Sequence, residues 1–133
     1  MPLAREAEAA RQYLRILQAR LGERLSFAVD VDAACAQRQL PAGILLTLVE
    51  NAVEHGIAPA LRGGHVDVRV RCDAGVLALE VRDNGTGLAE PLVEGLGLSN
   101  CRERLRHRYG AQASLQLLPL QHGACARVEV RLP

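Results

Sequence analysis

The stretch Val76-Leu77-Ala78-Leu79-Glu80-Val81-Arg82-Asp83-Asn84-Gly85-Thr86-Gly87-Leu88 begins as an alternating strand and ends in a glycine-rich turn. Successive side chains of a strand point to opposite faces, so Leu77, Leu79 and Val81 share one face and Glu80 and Arg82 the other. Asp83 is next in the apolar row. A carboxylate thus stands where a buried apolar residue is expected, and an unpaired buried carboxylate is strongly unfavourable. Something must be paired with it.

Outward from this strand the same one-sidedness repeats. Residues 65–72 put Val66, Val68 and Val70 on one face and Asp67, Arg69 and Arg71 on the other, and Asp73-Ala74-Gly75 joins the two strands as a hairpin. Residues 113–118 and 124–132 read as two more strands, joined around His122-Gly123, with Val128, Val130 and Leu132 opposed to Arg127, Glu129 and Arg131. Residues 25–31 alternate with Phe27, Val29 and Val31 inward. Strands of this kind make a sheet with one solvated face, so the helices must cover the other. Helices are predicted over 3–21, over 42–56 between Pro41 and Gly56, and over 96–109 before Gly110, with loops over 57–64 and 83–95. The fold class is a two-layer α/β sandwich: a mixed, largely antiparallel sheet with helices on one face.

The first helix carries a heptad seam of Leu3, Ala7, Ala10, Leu14, Leu17 and Leu21. The seam fits an amphipathic helix packed on its own domain, and equally a helix that sits in a bundle or dimer.

Composition excludes several functions. In 133 residues there are one Phe, two Tyr and no Trp, which removes an aromatic platform for single-stranded nucleic acid. A net charge of +1 gives no electrostatic case for nucleic acid or for direct membrane contact. All 16 basic residues are Arg, so neither a P-loop nor a Schiff-base lysine is available. The four cysteines, at 35, 72, 101 and 125, form no CxxC pair and read as reduced thiols. No signal peptide or spanning apolar run is seen, and a cytoplasmic location is expected.

Two further segments carry chemistry. On the helix over 42–56, at about 100° per residue, Ile44, Leu45, Leu46, Leu48, Val49, Ala52 and Val53 span an apolar arc, and Thr47, Glu50, Asn51 and Glu54 form a polar strip. His55 falls at the edge of the apolar arc, one turn from Asn51. The strip fits a solvated face, and it also fits a hard-cation site, since Mg²⁺ takes one or two protein oxygens plus phosphates and water. The second segment is "EGLGLSNCRERL", residues 94–105. Asn100 replaces the third glycine of a GxGxxG motif and no strand precedes it, so a dinucleotide fold is excluded. Gly95 and Gly97 permit close backbone approach, the helix start offers free N–H groups to an anion, and Arg102 lies one turn in.

In order, "LVENAVEHG", "VRDNGTGL" and "GLGLSNCRERL" resemble the N, G1 and G2 boxes of the gyrase, Hsp90, histidine kinase and MutL superfamily, whose ATP-binding domain has the Bergerat fold. The resemblance covers nearly the whole chain and is nearest to the catalytic domain of LytS-type sensor histidine kinases. It implies that Asp83 accepts a hydrogen bond from the adenine amino group, with Gly85 and Gly87 letting the chain pass close to the base. It implies that Asn51 coordinates Mg²⁺ on the phosphates, that Gly95, Gly97 and the N–H groups near Leu98 hold them, with His55 and Arg102 as further nucleotide contacts, and that Glu50 is the base or polarising group of phosphotransfer. The implied cofactors are ATP and Mg²⁺, and the implied partners are a histidine-containing dimerisation domain and a response regulator.

The sequence departs from that pattern. Thr47 stands where hydrolytic relatives carry a catalytic Glu, so poor ATP hydrolysis is expected. Glu54 stands where many relatives are basic, and the lid between Leu88 and Gly95 is short. None of His55, His65, His107 and His122 has the phosphoacceptor context of such kinases. On this resemblance residues 1–22 are the tail of a dimerisation-region helix and residues 23–133 the catalytic domain, excised or acting on another chain. The helix is then expected to be the least stable element, fraying when dilute and pairing with a second copy when concentrated. The alternatives are an anti-sigma-type serine kinase and a non-catalytic nucleotide-binding or scaffold domain.

Overall fold

A computed structural model describes residues 1–57, 63–87 and 95–132. The elements are α1 (Leu3–Leu21), β1 (Leu25–Val31), α2 (Ile44–Ala52), β2 (Gly64–Asp73), β3 (Val76–Asp83), α3 (Leu96–Tyr109), β4 (Ala113–Pro119) and β5 (Ala124–Arg131). The strands form one sheet in the order β1-β2-β3-β5-β4. Only β1 and β2 are parallel, and α2 lies on the crossover that a parallel pair requires. The β2–β3 hairpin turns through Ala74 (φ 50°) and Gly75 (φ 76°), successive left-handed residues that match the twist of the strands.

The pleat sorts the side chains as the alternation predicts. Val66, Val68, Val70, Leu77, Leu79, Val81, Val128 and Val130 are buried in one core with Leu45, Leu48 and Val49 of α2 and Leu98, Cys101 and Leu105 of α3. The opposite face carries ion pairs among Glu80, Arg82, Arg127 and Glu129. Paired at the surface, such charges contribute little to stability and keep the face wet.

Helix α1 belongs to this core. Leu3, Ala7, Ala10 and Leu14 are fully buried in it, and Leu17 and Leu21 pack against it half-buried. Its seam is therefore met within the chain, which is the packed alternative. The premise of fraying or pairing, leucines left in water, is overturned. The first turn is tied down as well: the Leu3 and Ala4 N–H groups donate to the Arg38 and Ala36 carbonyls, at 2.9 Å each.

Helix α2 is shorter than the predicted 42–56 at both ends. Gly43, at φ 86°, is left-handed and cannot continue a helix backward, so α2 starts at Ile44. At the other end the backbone widens into a π turn over Val53–Ile57. Such turns are rare and concentrate at functional sites. This one rotates His55 out of the apolar arc, where it is exposed, while Val53, Gly56 and Ile57 are buried. The predicted lid between Leu88 and Gly95 and most of the 57–64 loop lie outside the described residues.

Candidate nucleotide site

Asp83 closes β3 and is 7 % exposed, in line with Leu77, Leu79 and Val81. Its Oδ1 accepts the Gly85 N–H at 2.9 Å. Burial pushes its carboxyl above the usual range, and the backbone N–H groups of Gly85 and Ala124 pull it partly back. Two glycines stand against it. A Cβ on Gly56 would lie 2.5 Å from Oδ1, and a Cβ on Gly123 (φ 101°) would lie 1.9 Å from the Asp83 carbonyl oxygen. Asp83 is thus held in a backbone frame made from three separate segments, and it meets them as an acceptor.

The turn after Asp83 is stitched to the π turn. The Thr86 N–H donates to the Gly56 carbonyl at 3.1 Å and its hydroxyl donates to the His55 carbonyl at 2.9 Å. Asn84 is bonded to His65 in both directions, accepting from the His65 N–H at 2.6 Å and donating its own N–H to the His65 carbonyl at 3.3 Å. A Cβ on Gly85 would fall 2.0 Å from the Gly56 carbonyl oxygen. The neighbour that forbids a side chain at Gly85 is therefore the end of α2. Gly87 has no such crowding, and its need for glycine is a left-handed φ of 85°.

Beside this frame lies a cleft of about 310 Å³ lined by Thr47, Glu50, Asn51, Glu54, His55, Gly95, Leu96, Gly97 and Leu98. The polar strip of α2 forms one wall and the first turn of α3 the other. No described side chain caps α3, and its first bond among the described residues is Ser99 N–H to the Gly95 carbonyl. The N–H groups of Leu96, Gly97 and Leu98 therefore have no partner within the helix, and they carry the positive end of its dipole. The walls are close: a Cβ on Gly97 would lie 3.1 Å from Thr47 Cγ2. A carboxylate wall facing a helix start is suited to a phosphate chain that brings its own divalent cation.

Of the predicted site residues, the fold brings Glu50, Asn51, His55, Gly95, Gly97 and Leu98 to one cleft and sets Asp83 and Gly85 against Gly56 at the end of the same helix. Arg102 is not there. Its guanidinium donates to the Leu115 carbonyl in a larger depression of about 630 Å³ between α3 and β4. Sequence reading also missed Gly56, Gly123 and Thr86. Gly56 and Gly123 look like ordinary helix and turn endings, and only their pairing with Asp83 across the fold marks them.

A family model described as "Histidine kinase-, DNA gyrase B-, and HSP90-like ATPase" matches residues 37–133. The chain is 35 % identical over 133 residues to the sensor histidine kinase BtsS of Escherichia coli (strain K12), an alignment covering 98 % of this chain and 23 % of that protein. It is 31 % identical over 126 residues to the sensor protein LytS of Staphylococcus haemolyticus, covering 85 % of this chain and 22 % of that one. The chain thus spans about a quarter of the length of the curated relatives it matches. Among solved structures, the histidine kinase domain of the Erythrobacter litoralis blue-light activated histidine kinase superposes with a TM-score of 0.75 at 21 % identity, covering 99 % of this chain and 62 % of that one. The catalytic domain of histidine kinase ThkA superposes with a TM-score of 0.74 at 18 % identity, covering 98 % and 92 %. At these identities the likeness is one of fold. Taken with the matched residues, the framed Asp83 and the cleft between α2 and α3, it places the chain in the histidine kinase-, DNA gyrase B- and HSP90-like ATPase family.

Proposed function

We propose that this chain is the ATP-binding catalytic domain of a two-component sensor histidine kinase, passing the γ-phosphoryl group of ATP to a histidine outside residues 1–133. The observation that carries the reading is the joining of two unlike sites on one helix: a buried acceptor-only carboxylate at the end of α2 and an anion-accepting helix start facing its middle. Asp83 accepts the adenine amino hydrogen, and an acceptor-only group rejects the carbonyl of guanine. The N–H groups of Leu96, Gly97 and Leu98 bind phosphate oxygens. His55, at the mouth of the π turn, adds a nucleotide contact.

The donor set fits a magnesium ion. Asn51 offers an amide oxygen beside Glu50 and Glu54 in the cleft wall. That suits an ion held largely by phosphate and water. Asn51 would hold it, and when bound it would neutralise charge on the transferring phosphoryl group. Glu50, half-buried in the cleft wall, orients the acceptor imidazole and takes its proton. Thr47 has no proton-accepting group to activate water, so transfer is favoured over hydrolysis.

Residues 1–22 correspond on this reading to the end of the dimerisation-region helix, and a response regulator is the onward acceptor. No described helix is long and apolar enough to cross a membrane. The cytoplasmic side of a membrane-bound sensor is the proposed location. Calorimetry with ATP, ADP and GTP, with and without Mg²⁺, tests the binding half. Micromolar ATP and no GTP is expected; no binding of any nucleotide sinks the proposal. Supplying a phosphoacceptor histidine segment tests the transfer half: acid-labile label should appear on that segment and not on His65, His107 or His122.

A further inference from the structure

The buried acid that the nucleotide chemistry does not use is Glu6. It lies in the first turn of α1 and is 2 % exposed. Its Oε1 accepts the Gly43 N–H at 2.9 Å, while its Oε2 is buried with no hydrogen-bond partner among the described residues. Gly43 is the left-handed residue from which α2 departs, and it has no side chain with which to cap that helix. Its own carbonyl accepts the Thr47 N–H at 2.9 Å, so Gly43 starts the hydrogen-bond ladder of α2.

Glu6 therefore does from another element what a capping side chain does locally. The same stretch of α1 is bonded to the segment leading into α2, through Leu3 and Ala4 to Arg38 and Ala36 and through a bridge from Pro2 to Gln39. Helix α2 in turn carries Thr47, Glu50 and Asn51, which line the cleft. A buried carboxylate is a poor choice for stability, because burial penalises its charge. It is a good choice for fixing one geometry, because an acceptor of that length at that point admits one seat for the Gly43 N–H.

We infer that Glu6 is a positioning residue for the nucleotide site: from α1 it sets where α2 begins, and so where Asn51 and Glu50 stand against the start of α3. The inference rests on the ATP reading above. It makes α1 a lever on the cleft, since the Glu6 carboxylate ties α1 to Gly43 and two backbone bonds tie it to Ala36 and Arg38 just before.

The test compares Glu6→Leu, which keeps the bulk and removes the acceptor, with Glu6→Gln, which keeps an acceptor oxygen. Leu14→Ala serves as a control that loosens α1 in the core without touching Gly43. Two quantities are read on each folded variant: Mg·ATP affinity by calorimetry, and the side-chain amide resonance of Asn51 without nucleotide. Glu6→Leu is expected to bind Mg·ATP at least tenfold more weakly and to shift the Asn51 resonance. Glu6→Gln should stay within twofold of wild type, and Leu14→Ala should melt lower yet leave both readouts in place. If Glu6→Leu does not fold, Glu6→Asp takes its place, with the charge kept and the reach cut by one methylene, and the same tenfold loss is expected. Affinity within twofold and an unmoved Asn51 resonance in a folded Glu6→Leu or Glu6→Asp variant would overturn the inference. Equal losses in Leu14→Ala would overturn it too, because the effect would then be one of general stability. Failure of wild type to bind ATP at all would instead strike the functional reading, and the nucleotide-free Asn51 signal would still decide the positioning role.

Discussion

The two ends of α2 solve opposite problems with the same parts. Each end sets a glycine against a buried carboxylate from a distant segment: Gly43 against Glu6 at the start, Gly56 against Asp83 at the finish. At the start the glycine gives an N–H and the carboxylate supplies a cap. At the finish the glycine gives only an absence, the missing Cβ that leaves Asp83 room. Both carboxyls are pushed above the usual range chiefly by burial. What differs is what remains to be satisfied. Glu6 is sealed between helices, whereas Asp83 stands at the frame beside the cleft. Burial of an acid does not by itself mark a ligand site.

The harshest way to break the comparison is to fill the finish. Gly56→Ala places a methyl group 2.5 Å from Asp83 Oδ1. Overpacking of this kind costs about 1–3 kcal/mol of stability. A lowered melting temperature together with ATP binding beyond detection in calorimetry is expected. Full ATP affinity in this variant would mean that nucleotide does not use the Asp83 frame.

Asp83→Asn should separate binding from folding. Loss of a hydrogen bond to a charged acceptor in a buried site is worth about 1.5–3 kcal/mol, roughly ten- to a hundredfold in ATP affinity. Stability should move the other way. A carboxyl whose folded pKa lies above its unfolded value takes protons preferentially in the folded state, so stability falls as pH rises from the ordinary carboxylate range to the raised value. Removing the carboxylate removes that fall. Melting curves at pH 4 and pH 7 should therefore show the variant gaining on wild type at the higher pH, and a variant that loses ground there contradicts the burial of a costly charge.

Between the ends, Asn51→Ala should leave metal-free ATP binding in place and abolish the gain that Mg²⁺ confers. Titrations with and without the metal measure this, and an undiminished gain transfers the ligand role to Glu50 or Glu54.

The smallest effect is expected at the start. Glu6→Gln keeps the acceptor for Gly43 and removes the buried charge, which faces the N-terminal ammonium and Arg104 as well as the backbone. By the same sign as for Asp83, the variant should lose the decline in stability above the ordinary carboxylate range, with ATP affinity held within twofold. Comparing melts across that range for Glu6→Gln and Asp83→Asn sharpens the contrast: both lose the decline, and only one loses the ligand.

What the sequence determined by itself is the part governed by local periodicity. The alternation in β2, β3 and β5 set which face is buried, and it put Asp83 in the apolar row before any fold was known. The seam of α1, the polar strip of α2 and the glycine-started α3 are legible for the same reason, since a 3.6-residue or two-residue repeat acts within a dozen residues. What only the tertiary structure decided are the matters settled by neighbours far along the chain. The seam of α1 could have faced a second helix, and it packs instead on β1 and α2 in the core. Arg102 is drawn to the Leu115 carbonyl across α3 and β4 and does not line the cleft. The π turn ends α2 with Gly56 against Asp83, 27 positions away, and Glu6 starts α2 from 37 positions before Gly43. No short-range pattern encodes such pairs, because a missing side chain and a borrowed cap acquire meaning only from the atoms that the fold sets beside them.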